Sequence, residues 1–260
     1  MKKSAKITLV GAGNVAWHLG HRLVDTGSRI MKIISRKSRR ADELSHELNC
    51  PVSQEFRVRN TDSDFLIVAV DDTYLKEILE NLSTTGTIIL HTSGSLGMDV
   101  FGPATDRYGV IYPLQTLTAG VPVDFSSIPL CIEGSDSTTL AEIGNLASQL
   151  SSVVNYIDSY QRRILHLAGV ISNNFTNHLI TLAIEVMEKN HLDRELLMPL
   201  LEETISKLRK TDPYNAQTGP ARRHNTEIIN QHLELLSSEP RLKKLYSIIS
   251  DSIIAYYSRS

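Results

Sequence analysis

Six residues near the start of the chain have the spacing that binding of a pyrophosphate requires. They form a G-x-G-x-x-A pattern directly after an apolar run: Gly11, Ala12, Gly13, Asn14, Val15 and Ala16. Gly11 would permit a tight turn, Gly13 would let the phosphates approach the backbone, and Ala16 would let helix and strand pack closely. Backbone amides of Asn14 and Val15 would then face the anion at the positive end of a helix. The pattern predicts a dinucleotide site, with a glycine turn that holds no ligand as the alternative.

The end of the second predicted strand indicates which dinucleotide would fit. A site for NAD usually has Asp or Glu about 20 residues beyond the glycines, where the ribose hydroxyls bind. This chain has Ser35 and Arg36 there, and three more basic residues follow before position 41. A guanidinium can pair with a 2′-phosphate and can stack on an adenine ring. The cluster favours NADP over NAD. The alternatives are a solvated helix start capped by Ser38, or a nucleic-acid patch.

Three further predicted strands end in residues that could take part in chemistry, because ligands of open α/β sheets bind beyond the carboxyl ends of the strands. Val70 and Asp71 follow the most apolar run, where Asp71 is expected to cap a helix and the backbone would flank the cofactor. His91 and Ser93 follow the next strand, where an imidazole or hydroxyl could transfer a proton, or where Ser93 could simply cap a helix. Tyr112 would line the pocket or belong to the core.

The later part of the chain contains two further groups of candidate residues. At 100° per residue, His166, Asn173 and Asn177 would lie within about 40° of one another on a long apolar helix. They would either face a substrate or make contacts between helices or between subunits. Arg222 and Arg223 follow a Thr-Gly-Pro turn and would either bind an anionic substrate or belong to a surface loop.

Positioning these residues requires an α/β half followed by a helical half. Apolar runs and amphipathic stretches alternate up to about residue 158, which predicts a doubly wound, mostly parallel Rossmann sheet at 1–158 and an all-α domain at 159–260. The predicted strands cover 6–10, 30–34, 64–70, 86–91, 108–112, 128–133 and 153–157, and the helices between them cover 14–26, 38–49, 73–82 and 137–150. The later helices are predicted at 160–190, 194–210, 223–237 and 240–258.

Composition excludes several other classes of protein. The 260 residues are 41% hydrophobic and 22% charged, which is typical of a globular protein. The net charge of −2 lacks the positive excess with which a general nucleic-acid binder contacts phosphates. The two cysteines, Cys50 and Cys131, lack the spacing of a metal site or disulfide scaffold, which favours a cytoplasmic protein without a metal. No apolar run approaches the ~20 residues that a membrane span needs.

With these segments identified, the chain resembles a large group of proteins that join a Rossmann domain to a helical domain of the 6-phosphogluconate dehydrogenase C-terminal type. That group includes ketopantoate reductase, pyrroline-5-carboxylate reductase and deazaflavin-dependent NADP oxidoreductases. The likeness is greatest to bacterial Rossmann-like proteins with a C-terminal domain of unknown function, and it covers nearly the whole chain. The segments that carry it are Gly11 to Ala16, His91 to Gly94, Pro113 to Gln115, His166 to Asn174 and Thr218 to Pro220.

The resemblance implies an NADP(H)-dependent oxidoreductase that acts on a small carbonyl or imine substrate and forms a homodimer through its helical domain. Ser93, His91, His166 and Asn173 are the residues we predict to be catalytic, the first three as proton donor or oxyanion stabiliser. The alternative is a protein that senses NADP(H) or serves as a scaffold without turnover.

Two departures from related enzymes bear on the mechanism. β-Hydroxyacid dehydrogenases, which belong to the same group, carry a catalytic Lys three residues before an Asn, and this chain has Val170 and Ile171 at the corresponding positions. The hydroxyacid mechanism is therefore not expected here. In addition, Tyr112 occupies a position where relatives often have His.

Overall fold

The computed structural model of the chain describes residues 4–58, 61–102 and 105–258. The chain divides into two compact units, the first ending at Ser172 and the second beginning at Asn173. The sequence predicts the domain boundary near residue 158, where the long helix begins. In the structure the first unit also contains the opening turns of that helix.

An eight-stranded sheet forms the first unit, in the order β3-β2-β1-β4-β5-β6-β7-β8. The strands are β1 Lys6–Val10, β2 Arg29–Ile34, β3 Val52–Ser53, β4 Phe65–Val68, β5 Ile88–His91, β6 Tyr108–Pro113, β7 Leu130–Gly134 and β8 Val154–Tyr156. Neighbouring strands from β3 to β6 are parallel, while β7 is antiparallel to β6 and parallel to β8. The mostly parallel sheet confirms the predicted fold class. The short β3 was not predicted.

Helices follow the strands as the alternating pattern predicts: α1 Asn14–Asp25, α2 Arg39–Glu47, α3 Asp72–Glu80 and α4 Ser137–Leu150. Successive strand residues point to opposite faces of the sheet, and a hydrophobic cluster covers each face. In β1, Ile7 and Leu9 belong to one hydrophobic cluster, and Val10 belongs to the cluster on the other face. The chain leaves β1 toward β2 on one side, and β4 lies on the other. The carboxyl ends of β1 and β4 therefore flank the crevice where such sheets bind dinucleotides.

The remaining elements are helical. They comprise α5 Ser159–Gly169, a π-helical segment Val170–Phe175, α6 Thr176–Lys189, α7 Met198–Leu208, α8 Pro213–Ala216, α9 Thr226–Leu235 and α10 Pro240–Tyr257. Asp158 and Gln161 cap the start of α5 reciprocally, with each side chain accepting a hydrogen bond from the other residue's backbone amide. The sequence predicts a regular helix over 160–190 and gives no sign of the π-helical segment. Within the described residues, no helix has the length and apolarity needed to cross a membrane.

Candidate functional site

A cleft of about 940 Å³ opens in the first unit beyond the carboxyl ends of β1, β2 and β4. All nine residues predicted to bind the cofactor line it: Gly11, Ala12, Gly13, Asn14, Val15, Ser35, Arg36, Val70 and Asp71. They come from three separate strand ends, and the parallel pairing of the strands brings those ends to one edge of the sheet. The cleft has the position and volume expected for a nucleotide site.

The glycine turn is shaped by two different constraints. Gly11 has a φ of 109°, and a Cβ atom there would lie 2.2 Å from the Ala69 carbonyl oxygen, so only glycine fits. Gly13 has a φ of −82°, and no atom lies within 4 Å of where its Cβ would be. The space beside Gly13 is part of the cleft. Gly11 therefore serves the fold, while the absence of a side chain at Gly13 leaves room for a ligand.

The first turn of α1 presents its positive end to this space. Gly13 is the N-cap residue, so no side chain caps the start of α1, and the first turn contains no acidic residue. The first amides of a helix have no carbonyl partner within the helix, so they are available to an anion. The Asn14 side chain accepts a hydrogen bond from the Ala119 amide at 3.2 Å, which ties the turn to the loop after β6.

Basic and aromatic side chains also line the cleft, beyond the end of β2. The Arg36 guanidinium lies 5.0 Å from the centroid of the Tyr74 ring, and Lys37 and Arg40 also line the cleft. Ser38 caps α2 by accepting a hydrogen bond from the Ala41 amide. The capping role predicted for Ser38 and a ligand-facing role for Arg36 are therefore compatible. Sequence reasoning missed Tyr74, which is on the first turn of α3, because nothing local marks it as a neighbour of β2.

Asp71 has the capping role that the sequence predicts. Its carboxylate accepts a hydrogen bond from the Thr73 amide at 2.9 Å at the start of α3. The hydrogen bond from Thr73 lowers the pKa of the Asp71 carboxyl group. Because a capping carboxylate is already engaged with its own helix, the backbone of Val70 and Asp71 is the part left to flank a ligand.

The structure places His91 in the core of the sheet, with none of its surface exposed. Nδ1 accepts a hydrogen bond from the Ser93 amide at 3.2 Å, and the ring stacks on Phe101. Burial is the main cause that lowers the pKa of His91 to about 3; the positive charge of Arg162 acts in the same direction, and a hydrogen bond with the Gly97 backbone partly offsets both. A buried neutral imidazole has no proton to give near neutral pH. The geometry therefore argues against the predicted role of His91 as a proton donor and indicates a structural role.

Ser93 is also nearly buried, and its hydroxyl organises the loop after β5. The oxygen accepts hydrogen bonds from the amides of Ser95 at 3.1 Å and Leu96 at 3.0 Å. This is the capping alternative considered for Ser93, and its hydroxyl also lies 3.4 Å from the Ser95 hydroxyl, within hydrogen-bond distance. Thr92 is the residue of this loop that lines the cleft. The four residues predicted to be catalytic are all described by the structure, and none of them lines the cleft.

Next to this loop, the Tyr112 hydroxyl lies 3.2 Å from His166 Nδ1. A Cβ atom on Gly94 would lie 2.7 Å from both His166 Nδ1 and the Tyr112 ring, so the glycine makes room for this pair. Both side chains are partly buried. Burial raises the pKa of Tyr112, and the neighbouring Cys131 raises it further. The sequence suggests each residue separately, but they are 54 positions apart and no local pattern predicts their contact.

The remaining candidates belong to the second unit. The Asn173 side chain is exposed, and it lies within the π-helical segment Val170–Phe175. Because a π-helical turn contains more residues than an α-helical turn, the spacing of 100° per residue used in the prediction does not apply to this segment. The Arg222 guanidinium lies 4.4 Å from the Tyr257 ring centroid and 6.0 Å from that of Tyr214. Arg223 is exposed.

A doubly wound sheet with a glycine turn and a basic second strand end defines a Rossmann-type nucleotide-binding domain. Residues 2–116 match the Rossmann-like domain family, and residues 128–253 match DUF2520, a domain of unknown function. The chain is 36% identical to the "putative NADP oxidoreductase BF3122" from Bacteroides fragilis, with a TM-score of 0.90 and coverage of 97% of this chain and 98% of that one. At that identity over nearly the full length of both chains, the protein belongs to the same family as BF3122.

More distant structures share the fold alone. A 1-pyrroline-5-carboxylate reductase from Streptococcus pyogenes is 15% identical, with a TM-score of 0.65 and coverage of 97% of this chain and 99% of that one. An imine reductase from Myxococcus stipitatus, solved in complex with NADP+, is 14% identical, with a TM-score of 0.61 and coverage of 98% and 93%. No curated protein matches the sequence.

Proposed function

We propose that the protein is an NADP(H)-dependent oxidoreductase that transfers hydride to or from a small carbonyl or imine substrate. The observation that carries this proposal is the single cleft in which a glycine turn, a helix N-terminus and Arg36 face the same space. Membership of the family of BF3122, which is named for NADP oxidoreduction, supports it. The folds shared with a pyrroline-carboxylate reductase and an imine reductase favour a small substrate with a C=O or C=N bond.

In this proposal the nine residues predicted to bind the cofactor contact different parts of the dinucleotide. The pyrophosphate would lie against the backbone from Gly11 to Val15, and the 2′-phosphate would be held by Ser35 and Arg36. The adenine would stack against the Arg36 and Tyr74 pair, because a guanidinium and a phenol ring both offer flat faces to a base. When bound, the nicotinamide supplies the hydride, so this chain has to orient it and provide a proton.

Arg36→Asp tests the assignment of the 2′-phosphate. Losing a charge-assisted contact and adding repulsion should weaken NADPH binding by about 3 kcal/mol, or roughly 100-fold, while NADH binding changes much less. Isothermal titration calorimetry with both nucleotides measures the difference. Arg39→Asp is the matched control, because Arg39 is 90% exposed, pairs with Glu43 and does not line the cleft. Equal weakening of both nucleotides by Arg36→Asp would show that the phosphate binds elsewhere.

Turnover is tested by following NADPH oxidation and NADP+ reduction with keto acids, imines and a deazaflavin. Reduction of at least one carbonyl or imine is expected. Tight NADPH binding without any turnover would instead favour a nucleotide sensor or scaffold. Among the residues predicted to be catalytic, Ser93 and His166 are the ones we propose to take part in proton transfer, and the role of Asn173 remains a prediction. His91 is left out because of its burial.

We also propose that the protein acts as a homodimer joined through its second unit. Within the described residues 173–258, Ala221 and Ile229 are the only apolar residues that the chain itself buries almost fully. Large apolar side chains on the same unit stay exposed, including Leu192 at 51%, Leu196 at 67% and Leu200 at 62%. Leu192 lies just before a 3₁₀-helical turn at Arg194–Leu197, Leu196 lies in that turn, and Leu200 lies in the first turn of α7, which directly follows it. A unit with so small a core needs a partner, and a second copy offers the same apolar face.

Leu200→Glu tests the dimer. A charge within the apolar contact should weaken dimerisation by about 2 kcal/mol or more, roughly 30-fold. Light scattering coupled to size exclusion, measured over a range of protein concentrations, gives the mass of the particles. Glu202→Lys is the control, since it changes a charge two residues away on a different side of α7. A wild-type protein that is monomeric at all concentrations would contradict the proposal.

A further inference from the structure

Tyr112 and His166 form a polar contact at the same sheet edge as the cleft. Tyr112 is near the carboxyl end of β6, and β6 is parallel to β5, whose end leads into Thr92 at the border of the cleft. Strands lie about 4.8 Å apart, so the ends of β5 and β6 are close neighbours. In the strand order, Tyr112 is therefore on the β4–β6 side of the glycine turn, whereas Arg36 follows β2 on the other side.

The close approach of the two side chains depends on the loop between them. Gly94 follows Thr92 by two residues, and any Cβ atom at position 94 would overlap both partners at 2.7 Å. Hydrogen bonds with α5 hold this loop in place. The buried Arg162 guanidinium donates one to the Leu96 carbonyl oxygen at 2.7 Å. In addition, the Ser159 hydroxyl accepts a hydrogen bond from the Met98 amide at 3.0 Å. A fixed loop with a glycine at this position holds the phenol and the imidazole together.

The two groups have complementary proton chemistry. Burial raises the pKa of Tyr112, so its hydroxyl stays protonated at neutral pH and can act as an acid. A histidine is the side chain best suited to exchange protons with water at that pH. Because Nδ1 faces the phenol, Nε2 of the same ring is left to exchange with solvent. The pair has the parts of a short proton relay from solvent to the phenol oxygen.

We propose that Tyr112 gives the proton that completes reduction of the substrate, and that His166 replaces it. This inference rests on the proposed oxidoreductase function. As the hydride reaches the carbon of the C=O or C=N bond, the π electron pair moves to the oxygen or nitrogen. That atom takes the proton from Tyr112 Oη. His166 Nδ1 passes a proton to the phenolate oxygen, and the imidazole recovers one from water, so that the substrate gains one hydride and one proton.

Tyr112→Phe tests this role, because it removes only the hydroxyl group. We expect kcat to fall on the order of 100-fold, with NADPH affinity unchanged within twofold. Tyr108→Phe is the matched control. It removes a hydroxyl from the same strand, and Tyr108 has a ring contact with Phe101 but no ring contact with His166. His166→Gln keeps a polar partner that cannot relay a proton, and it should also lower kcat and change the pH profile of kcat.

A second measurement does not depend on turnover. Nitrogen-15 NMR of the imidazole should show the Nδ1 resonance of His166 shifting in Tyr112→Phe and staying in place in Tyr108→Phe. Full kcat in Tyr112→Phe, in an active wild-type protein, would overturn the relay and leave the proposed function intact. An unchanged Nδ1 resonance would overturn the contact itself. A wild-type protein that binds NADPH but reduces no carbonyl or imine would overturn both the proposed function and this inference.

Discussion

Arg162→Met is expected to lower the free energy of unfolding by about 3–5 kcal/mol, the cost of breaking a buried ion pair by removing one partner. The Arg162 side chain is 1% exposed and pairs with Glu133, whose side chain is 19% exposed. Methionine would fill part of the space but would leave the Glu133 carboxylate without its cation. It would also leave the Leu96 carbonyl oxygen without its guanidinium donor. The effect follows from an unpaired buried charge, which costs more than a missing surface contact.

Urea unfolding followed by circular dichroism measures this loss. The neighbouring Arg163→Met is the matched control. Arg163 is exposed, so the same substitution there should change stability by about 0.5 kcal/mol at most. The double variant Arg162→Met with Glu133→Leu should recover part of the loss, because it removes the unpaired carboxylate as well. If Arg162→Met and Arg163→Met were equally stable, the buried pair would not contribute in the way its geometry implies.

Gly13→Ala should remove nucleotide binding and leave the fold in place. The added methyl group meets no protein atom within 4 Å, and the φ of −82° suits alanine, so the loss of stability should stay near 1 kcal/mol from the poorer N-cap. In the cleft, however, the methyl group would occupy the space where the pyrophosphate approaches the backbone. Losing hydrogen bonds to a charged group should cost about 3 kcal/mol or more, which is at least roughly 100-fold in NADPH affinity.

Gly11→Ala should show the opposite order of effects. Its φ of 109° and the Ala69 oxygen 2.2 Å from the new Cβ impose strain on the folded state itself. The left-handed conformation costs about 1–2 kcal/mol for alanine, and the overlap adds about 1–3 kcal/mol. Melting temperatures with and without NADPH separate the two variants. Gly13→Ala should melt close to the wild type but without stabilisation by NADPH, and Gly11→Ala should melt lower in both conditions. Stabilisation of Gly13→Ala by NADPH to the wild-type extent would contradict the placement of the pyrophosphate.

The sequence alone determined the features that are local along the chain. The glycine turn follows from six consecutive residues, and the strands and helices up to α4, apart from β3, follow from apolar runs and helical spacing. The grouping of Gly13, Arg36 and Asp71 around one cleft was also predictable. Parallel strands bring their carboxyl ends to the same edge, so residues distant in sequence meet once the strand order is known.

Tertiary structure decided the features that depend on side-chain direction and on pairing between distant segments. The position of His91 at a strand end did not indicate that its ring is buried in the core, where burial keeps it neutral. The pairing of Tyr112 with His166 depends on how β6 and α5 pack on either side of Gly94. The π-helical segment that contains Asn173 leaves no mark in the pattern of apolar residues. In each case the outcome is set by space and partners that other parts of the chain supply, and a local sequence pattern carries no information about them.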